Sequence, residues 1–198
     1  MAIERPDLSP IVQIIPFATT SPAQREQAAA VLMRALAHTP SAWHDLPSAR
    51  EEVASFTSDP ERAAIAAVEA GNLVGWIGAV RHSATAWELH PLVIDPAHQG
   101  RGYGAALVEA LEEQARRAGI CTIFLGTDDD FGGTNLFGTD LYPDVLERLR
   151  QLAPAPRHAY MFYRRLGYTV VGVIPDYGGF GKHDILMAKR IRPDPEPR

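Results

Sequence analysis

Apolar positions recur along the chain in two rhythms, and the rhythm changes at glycine, proline and short polar clusters. Extended rhythm covers Ile11 to Phe17, Arg62 to Ala70, Leu73 to His82 and Ala86 to Ile94. It returns over Ile120 to Leu125, Tyr168 to Ile174 and Asp184 to Ile191, the last two linked by the glycine-rich stretch Pro175 to Lys182. Gly71-Asn72 is a two-residue hairpin signal between the second and third strands. Helical rhythm starts at Ser21-Pro22-Ala23-Gln24, with Ser as N-cap, Pro at N1 and Gln reaching back from N3. Ala28, Leu32 and Leu36 then share one face of a helix running to His38. Ser48-Ala49-Arg50-Glu51 reads as a second capping box, opening a shorter helix to about Phe56. Trp43 and His44 lie in the loop between the two, where surface packing is the favoured reading of both. After Gly104, Leu107, Ala110, Leu111, Ala115 and Ala118 form a stripe, with Glu109, Glu112, Glu113, Arg116 and Arg117 outside it and Gly119 as the stop. Tyr142 to Leu152 and Arg157 to Leu166 complete the helices, the second with Ala159, Phe162, Tyr163 and Leu166 facing inward and Gly167 ending it. Strand, loop, helix and strand from Ala86 to Leu125 predict one parallel crossover.

The strand from Ala86 to Ile94 carries polar groups on an apolar background. Simple alternation puts Glu88, His90, Leu92 and Ile94 on one face and Trp87, Leu89, Pro91 and Val93 on the other. Pro91 has no N–H to give to a ladder, so it demands an edge, a break or a bulge. A bulge there opens the sheet and frees the backbone amides of Leu92 to Ile94 for a ligand.

Directly after this strand comes Gln99-Gly100-Arg101-Gly102-Tyr103-Gly104. Three glycines in five positions bring amides close to a ligand where a loop becomes a helix, and the helix N-terminus adds partial positive charge. That combination suits phosphate. It is not a P-loop, because Ala105-Ala106 stand where Lys-Ser/Thr is needed. Gly100, Gly102 and Ala105 meet the loose dinucleotide fingerprint, but the next strand lacks the acidic residue that completes it. A plain glycine turn capping a helix is the alternative.

Length and composition narrow the setting. A chain of 198 residues, 46% hydrophobic and 22% charged, predicts a single domain spanning residues 1–191, with 192–198 a disordered tail. A net charge of −5 argues against a general nucleic-acid binder and for cationic partners. Cys121 is the one cysteine, which excludes an internal disulfide and a cysteine-based zinc site, and its apolar surroundings predict core. Met1 to Pro10 has no apolar leader segment and no run reaches membrane-spanning length, so the expected setting is cytoplasmic, with no membrane partner. The acidic segment Asp128-Asp129-Asp130, with Asp140 and Asp144 beyond it, is the candidate counter-charge for a cation. Caps and turns use the same residues, and Asp130 is the one expected to be merely solvated.

Gln99-x-x-Gly102-x-Gly104 after a strand, with Tyr163-Arg-Arg-Leu-Gly167-Tyr168, resembles the acyl-CoA signature of the GNAT N-acetyltransferases. Trp87-Glu88-Leu89-His90-Pro91-Leu92, Leu125-Gly126-Thr127-Asp128-Asp129, Thr139-Asp140-Leu141-Tyr142 and Asp184-Ile185-x-Met187-Ala188-Lys189 resemble the aminoglycoside 6′-N-acetyltransferases within that superfamily. The likeness runs from about Asp59 to Ile191. Two departures stand out: His183 where the family pattern has proline, and the segment Phe131 to Gly138.

The resemblance implies an α/β GNAT fold: a mixed, mostly antiparallel sheet with a central, splayed parallel strand pair, flanked by helices. It implies acetyl-CoA as cosubstrate, held by Leu92, Val93, Ile94, Gln99, Gly100, Arg101, Gly102, Tyr103, Gly104 and Tyr163, and a homodimer. In that frame the Leu92 amide faces the thioester oxygen, Glu88 is the base, and Tyr163 is the acid for the leaving sulfur. Glu88, His90, Asp128, Asp129, Asp140 and Asp184 are the expected contacts to a cationic amine, best matched by the 6′-amine of an aminoglycoside attacking directly in a ternary complex. A polyamine or protein amine, or a non-catalytic acyl-CoA sensor, are the alternatives. Spacings of the HxExxH type are absent and the chemistry needs no metal.

Overall fold

The computed structural model describes residues 12–40, 42–155 and 158–192. The expectations for Met1 to Pro10, Ile11, Arg157 and the tail beyond Arg192 lie outside the described residues. Seven strands, β1 (Val12–Pro16), β2 (Arg62–Glu69), β3 (Asn72–Arg81), β4 (Ala86–Ile94), β5 (Thr122–Asp128), β6 (Thr169–Gly179) and β7 (Lys182–Arg190), form one sheet in the order β1-β2-β3-β4-β5-β7-β6. Every neighbouring pair is antiparallel except β4 and β5.

Helices cover both faces. α1 (Pro22–Ala35) and α2 (Leu46–Ser58) bury Ala28, Leu32, Val53 and Phe56 against Ala66, Val68 and Trp76 on one face. On the other, α3 (Tyr103–Arg117) buries Leu107, Val108, Leu111 and Ala115 against Ile65, Ile77, Leu89 and Ile123. The short helices α4 (Val145–Arg150) and α5 (Ala159–Arg165) pack against β6 and β7 respectively.

The capping box at Ser21 is present, with Gln24 N–H on the Ser21 hydroxyl and Ser21 N–H on the Gln24 side chain. The second one is not. α2 begins earlier, and Asp45 is its cap, accepting from Ser48 N–H at 2.8 Å, because Pro47 can occupy the first turn without needing a donor. The hairpin turn is Ala70-Gly71 rather than Gly71-Asn72, with φ of 49° and 83°, the positive pair that matches strand twist. Glu112 is buried rather than outside: Lys189 reaches it at 2.7 Å and also donates to Leu166 O, so a β7 cation closes the far side of α3. Ala159 is exposed, and Cys121 is exposed just before β5 rather than in the core. The helix expected from Tyr142 shrinks to the six residues of α4, since Pro143 disfavours the helical region for Tyr142 before it and Asp144 becomes the N-cap. β6 and β7 extend through the expected linker to a turn at Phe180-Gly181.

One irregularity sets the centre of the molecule. Ile77 pairs with Leu92 but Ala79 pairs with Leu89, so His90-Pro91 is a two-for-one bulge on β4. The bulge reverses the facing of the residues beyond it. Leu92 and Ile94 pack with Trp87 and Leu89 on the α3 face, while Val93 joins Trp76 under α1. The simple alternation expected through Pro91 is therefore broken at Pro91 itself. Beyond Glu88 the strands part: β4 and β5 pair only at Ala86–Thr122, Trp87–Ile123 and Glu88–Phe124, and the rest of β5 pairs with β7 alone.

Candidate active site

The parted strands leave an open edge on β4. Asp95 N–H donates to Val74 O of β3 at 2.8 Å. Alternate amides of a strand point to opposite edges, so the Val93 N–H turns to β3 while those of Leu92 and Ile94 turn into the gap. Ile94 O accepts from the Gln99 side chain on that same side at 3.2 Å. Two backbone donors at the gap thus have no strand to bond.

The glycine loop closes the end of this gap. Gly102 is the N-cap of α3 in the left-handed region, at φ 85°, where a side chain is strained. A Cβ on Gly100 or Gly102 would meet nothing within 4 Å, so the cradle is open to a ligand-sized group. Gly104 lies under the Phe162 ring, at 3.4 Å for a built Cβ, which brings α3 and α5 together. The loop is held from behind. The Tyr103 hydroxyl donates to Glu69 Oε1, Arg101 lies 3.5 Å from the same oxygen, and His98 sits 3.1 Å from Oε2. Glu69, the buried last residue of β2, gives no signal of this role in the sequence, where it reads as an ordinary strand end. Open glycine cradle, helix N-terminus and free strand amides fit an acyl-CoA: the loop for its pyrophosphate, the gap for its amide-bearing arm.

The acidic side chains divide into groups that converge and groups that do not. Glu88, Asp128 and Asp184 share one sheet face, as the β4–β5 and β5–β7 registers require. Asp184 is 6% exposed and its Oδ1 has no hydrogen-bond partner. Burial first, then the charges of Asp128 and Glu88, push it up to about 6, against a lowering by Thr127 N–H. It fits only because residue 126 is glycine, where a Cβ would stand 2.3 Å from the carboxylate. Asp128 is raised by the protein crowding one side of it and by Asp130, with His90 opposing. His90 is exposed and packs against Trp43, ring centres 5.7 Å apart.

The remaining aspartates have other partners. Asp129 is 1% exposed and accepts from Gly133 N–H and the Thr134 hydroxyl, so it shapes its own loop. Asp130 is not solvated but largely covered, 3.8 Å from Lys182. Asp140 accepts from Tyr142 N–H and lines a separate cavity of about 510 Å³ with Asp176 and Phe180. Asp144 heads α4 without a side-chain cap bond. His183 is a buried clasp: Nδ1 accepts from Asp176 N–H, and Nε2 faces Leu136 O and Thr139 O at 3.2 and 3.1 Å, tying the acidic loop to the β6–β7 hairpin.

A cavity of about 550 Å³ runs from Leu36 and Thr39 past Gly126, Asp128 and His158 to Tyr163. Tyr163 is buried, edge-on to Phe162 and Tyr168, and burial holds its phenol well above the usual value. His82, at the end of β3, is a site neighbour that the sequence pattern does not single out, and it places Nε2 2.6 Å from Glu88 Oε2. The Arg81–Trp87 register is the signal for it, since it sets residue 82 diagonal to residue 88.

The Acetyltransferase (GNAT) family profile matches residues 31–137. The aminoglycoside 6′-N-acetyltransferase from Enterococcus faecium is 39% identical, with a TM-score of 0.83 over 93% of this chain and 99% of its own. An aminoglycoside 6′-N-acetyltransferase complexed with coenzyme A matches at the same identity, coverage and TM-score. The N-alpha-acetyltransferase RimI of Mycobacterium tuberculosis (strain ATCC 25618 / H37Rv) is 36% identical over 76 residues, 37% of this chain and 48% of its own. The chain thus spans about half the length of that curated relative. Splayed β4 and β5, glycine-capped α3 and these likenesses agree: the chain belongs to the GNAT acetyltransferase family.

Proposed function

We propose that the chain transfers acetyl from acetyl-CoA to the 6′-amine of an aminoglycoside. The observation that carries the acceptor is the buried carboxylate of Asp184, its Oδ1 without a hydrogen-bond partner, beside Asp128 and Glu88 at the mouth of the parted strands. Likeness at 39% identity to enzymes named for this reaction supports it. Acetyl-CoA, when bound, supplies an acetyl thioester. The amides of the glycine loop and the α3 N-terminus hold its phosphates, and the Leu92 N–H donates to the thioester oxygen as charge gathers there. Glu88 takes the proton that the attacking nitrogen loses. The Tyr163 hydroxyl gives a proton to the departing sulfur; burial raises its pKa and so opposes this transfer, which the negative charge gathering on the sulfur has to drive. Asp128 and Asp184 face the acceptor's other ammonium groups.

A protein N-terminal amine is the second reading, favoured by the local likeness to RimI. Thiol release from acetyl-CoA distinguishes the two. A 6′-amino aminoglycoside of the kanamycin type should be turned over, its 6′-hydroxyl counterpart poorly. Spermidine and an alanine-terminated peptide should be slower than the amino compound. Turnover of the peptide or of spermidine with none of the aminoglycoside would replace the acceptor assignment. Tight CoA binding with no turnover at all would make the chain a sensor.

A further inference from the structure

His82 is the one imidazole in contact with Glu88, among the described residues, and its position stems from the hairpin. β3 and β4 pair through Arg81–Trp87, and His82 N–H then donates to Ala86 O at 3.0 Å. Residues 82 and 88 are therefore diagonal neighbours on one face, within reach of long side chains. His82 Nε2 lies 2.6 Å from Glu88 Oε2. A carboxylate offers only lone pairs, so Nε2–H is the donor. The ring is held edge-on to Phe124 of β5, centres 5.1 Å apart, and Phe124 is the residue paired with Glu88 across the parallel ladder. One wall therefore fixes both partners at the last rung before the strands part.

We propose that His82 is the positioning residue of Glu88. Its Nε2–H occupies Oε2, which fixes the carboxylate plane, leaves Oε1 for the amine and favours the ionised form that a base requires. The role rests on Glu88 serving as the base in the function proposed above. The charged groups facing the pair are Asp184 from β7, with Asp128 beyond it. Arg81, next to His82, turns to Glu61 at 3.8 Å instead. The ring is 50% exposed, so it exchanges protons with solvent without opening the core.

The test compares His82→Ala and His82→Gln with the wild type, using carboxyl NMR titration of Glu88 and pH profiles of kcat/KM. Loss of the donor should raise the Glu88 midpoint by about one pH unit, and Gln, which keeps an N–H at similar reach, should restore part of the difference. In turnover, His82→Ala should lower kcat roughly tenfold, leave KM for acetyl-CoA unchanged, and move the acid limb of kcat/KM upward. A Glu88 midpoint unchanged in His82→Ala overturns the proposal, whether or not the melting temperature falls. So does a normal kcat with a normal acid limb. If the wild type turns over no amine, the proposed function fails, and the NMR titration still decides the role of His82.

Discussion

Asp184 bears an electrostatic cost that can be read in a pH scan. Its oxygen without a partner, the roof of β5 over Gly126 and two neighbouring carboxylates all disfavour its charge. An aspartate whose folded pKa lies near 6 and whose unfolded value lies near 4 binds its proton more tightly when folded. Stability contributed by that proton is full below about pH 4 and declines as pH rises towards 6, with the cost complete above it. Asp184→Asn should therefore melt higher than wild type at pH 7, by an amount on the order of 1–3 kcal/mol, and about equally at pH 4. A bound polyamine should shrink the difference, because a cation at the carboxylate offsets the burial. Equal melting of both proteins at pH 7, measured by calorimetry, would mean that water or a shifted side chain already satisfies Asp184.

At the scale of elements, the loop from Gln99 to Gly104 has a role separable from the core. Nothing lies within 4 Å of a Cβ at Gly102, so a side chain there projects into the cradle rather than into packing. Gly102→Glu costs about 1–2 kcal/mol for a left-handed backbone and puts a carboxylate where phosphate is to sit. The expected outcome is a folded protein whose CoA affinity by calorimetry is lost or reduced at least about 100-fold. Near-normal affinity would reduce the loop to a helix turn. β4 shows how far such an element can be read from sequence. The irregularity at Pro91, read as an edge, a break or a bulge, comes from a missing N–H, a purely local fact. That Val93 and Leu92 exchange faces does not, because it depends on Ala79 and Ile77 choosing Leu89 and Leu92 as partners. His82 is hidden for the same reason: a diagonal contact exists only once a register is chosen. Asp129 and Asp130 mislead in the opposite direction. Sequence reveals their charge, but not that Gly133, Thr134 and Lys182 already occupy them.

On the scale of the whole molecule, the sheet separates two large apolar clusters and opens between β4 and β5. α3 with its glycine cap lies on one side of that opening; α1, with Leu36 and Thr39 beyond it, lies on the other. An open glycine loop at a helix N-terminus and a carboxylate cluster thus approach one passage from different elements, which suits an anionic donor meeting a cationic acceptor. Several partly exposed pairs are needed for that acceptor, since each is worth only about 0–1 kcal/mol. Their placement is what a structure of the protein with CoA and a kanamycin-type aminoglycoside measures most directly. The account predicts the sulfur-bearing arm between β4 and β5 beside the Leu92 N–H, and the 6′-nitrogen within about 3 Å of Glu88, with further ammonium groups at Asp128 and Asp184. An aminoglycoside seated instead against Asp140 and Asp176, its 6′-amine remote from Glu88, would contradict it.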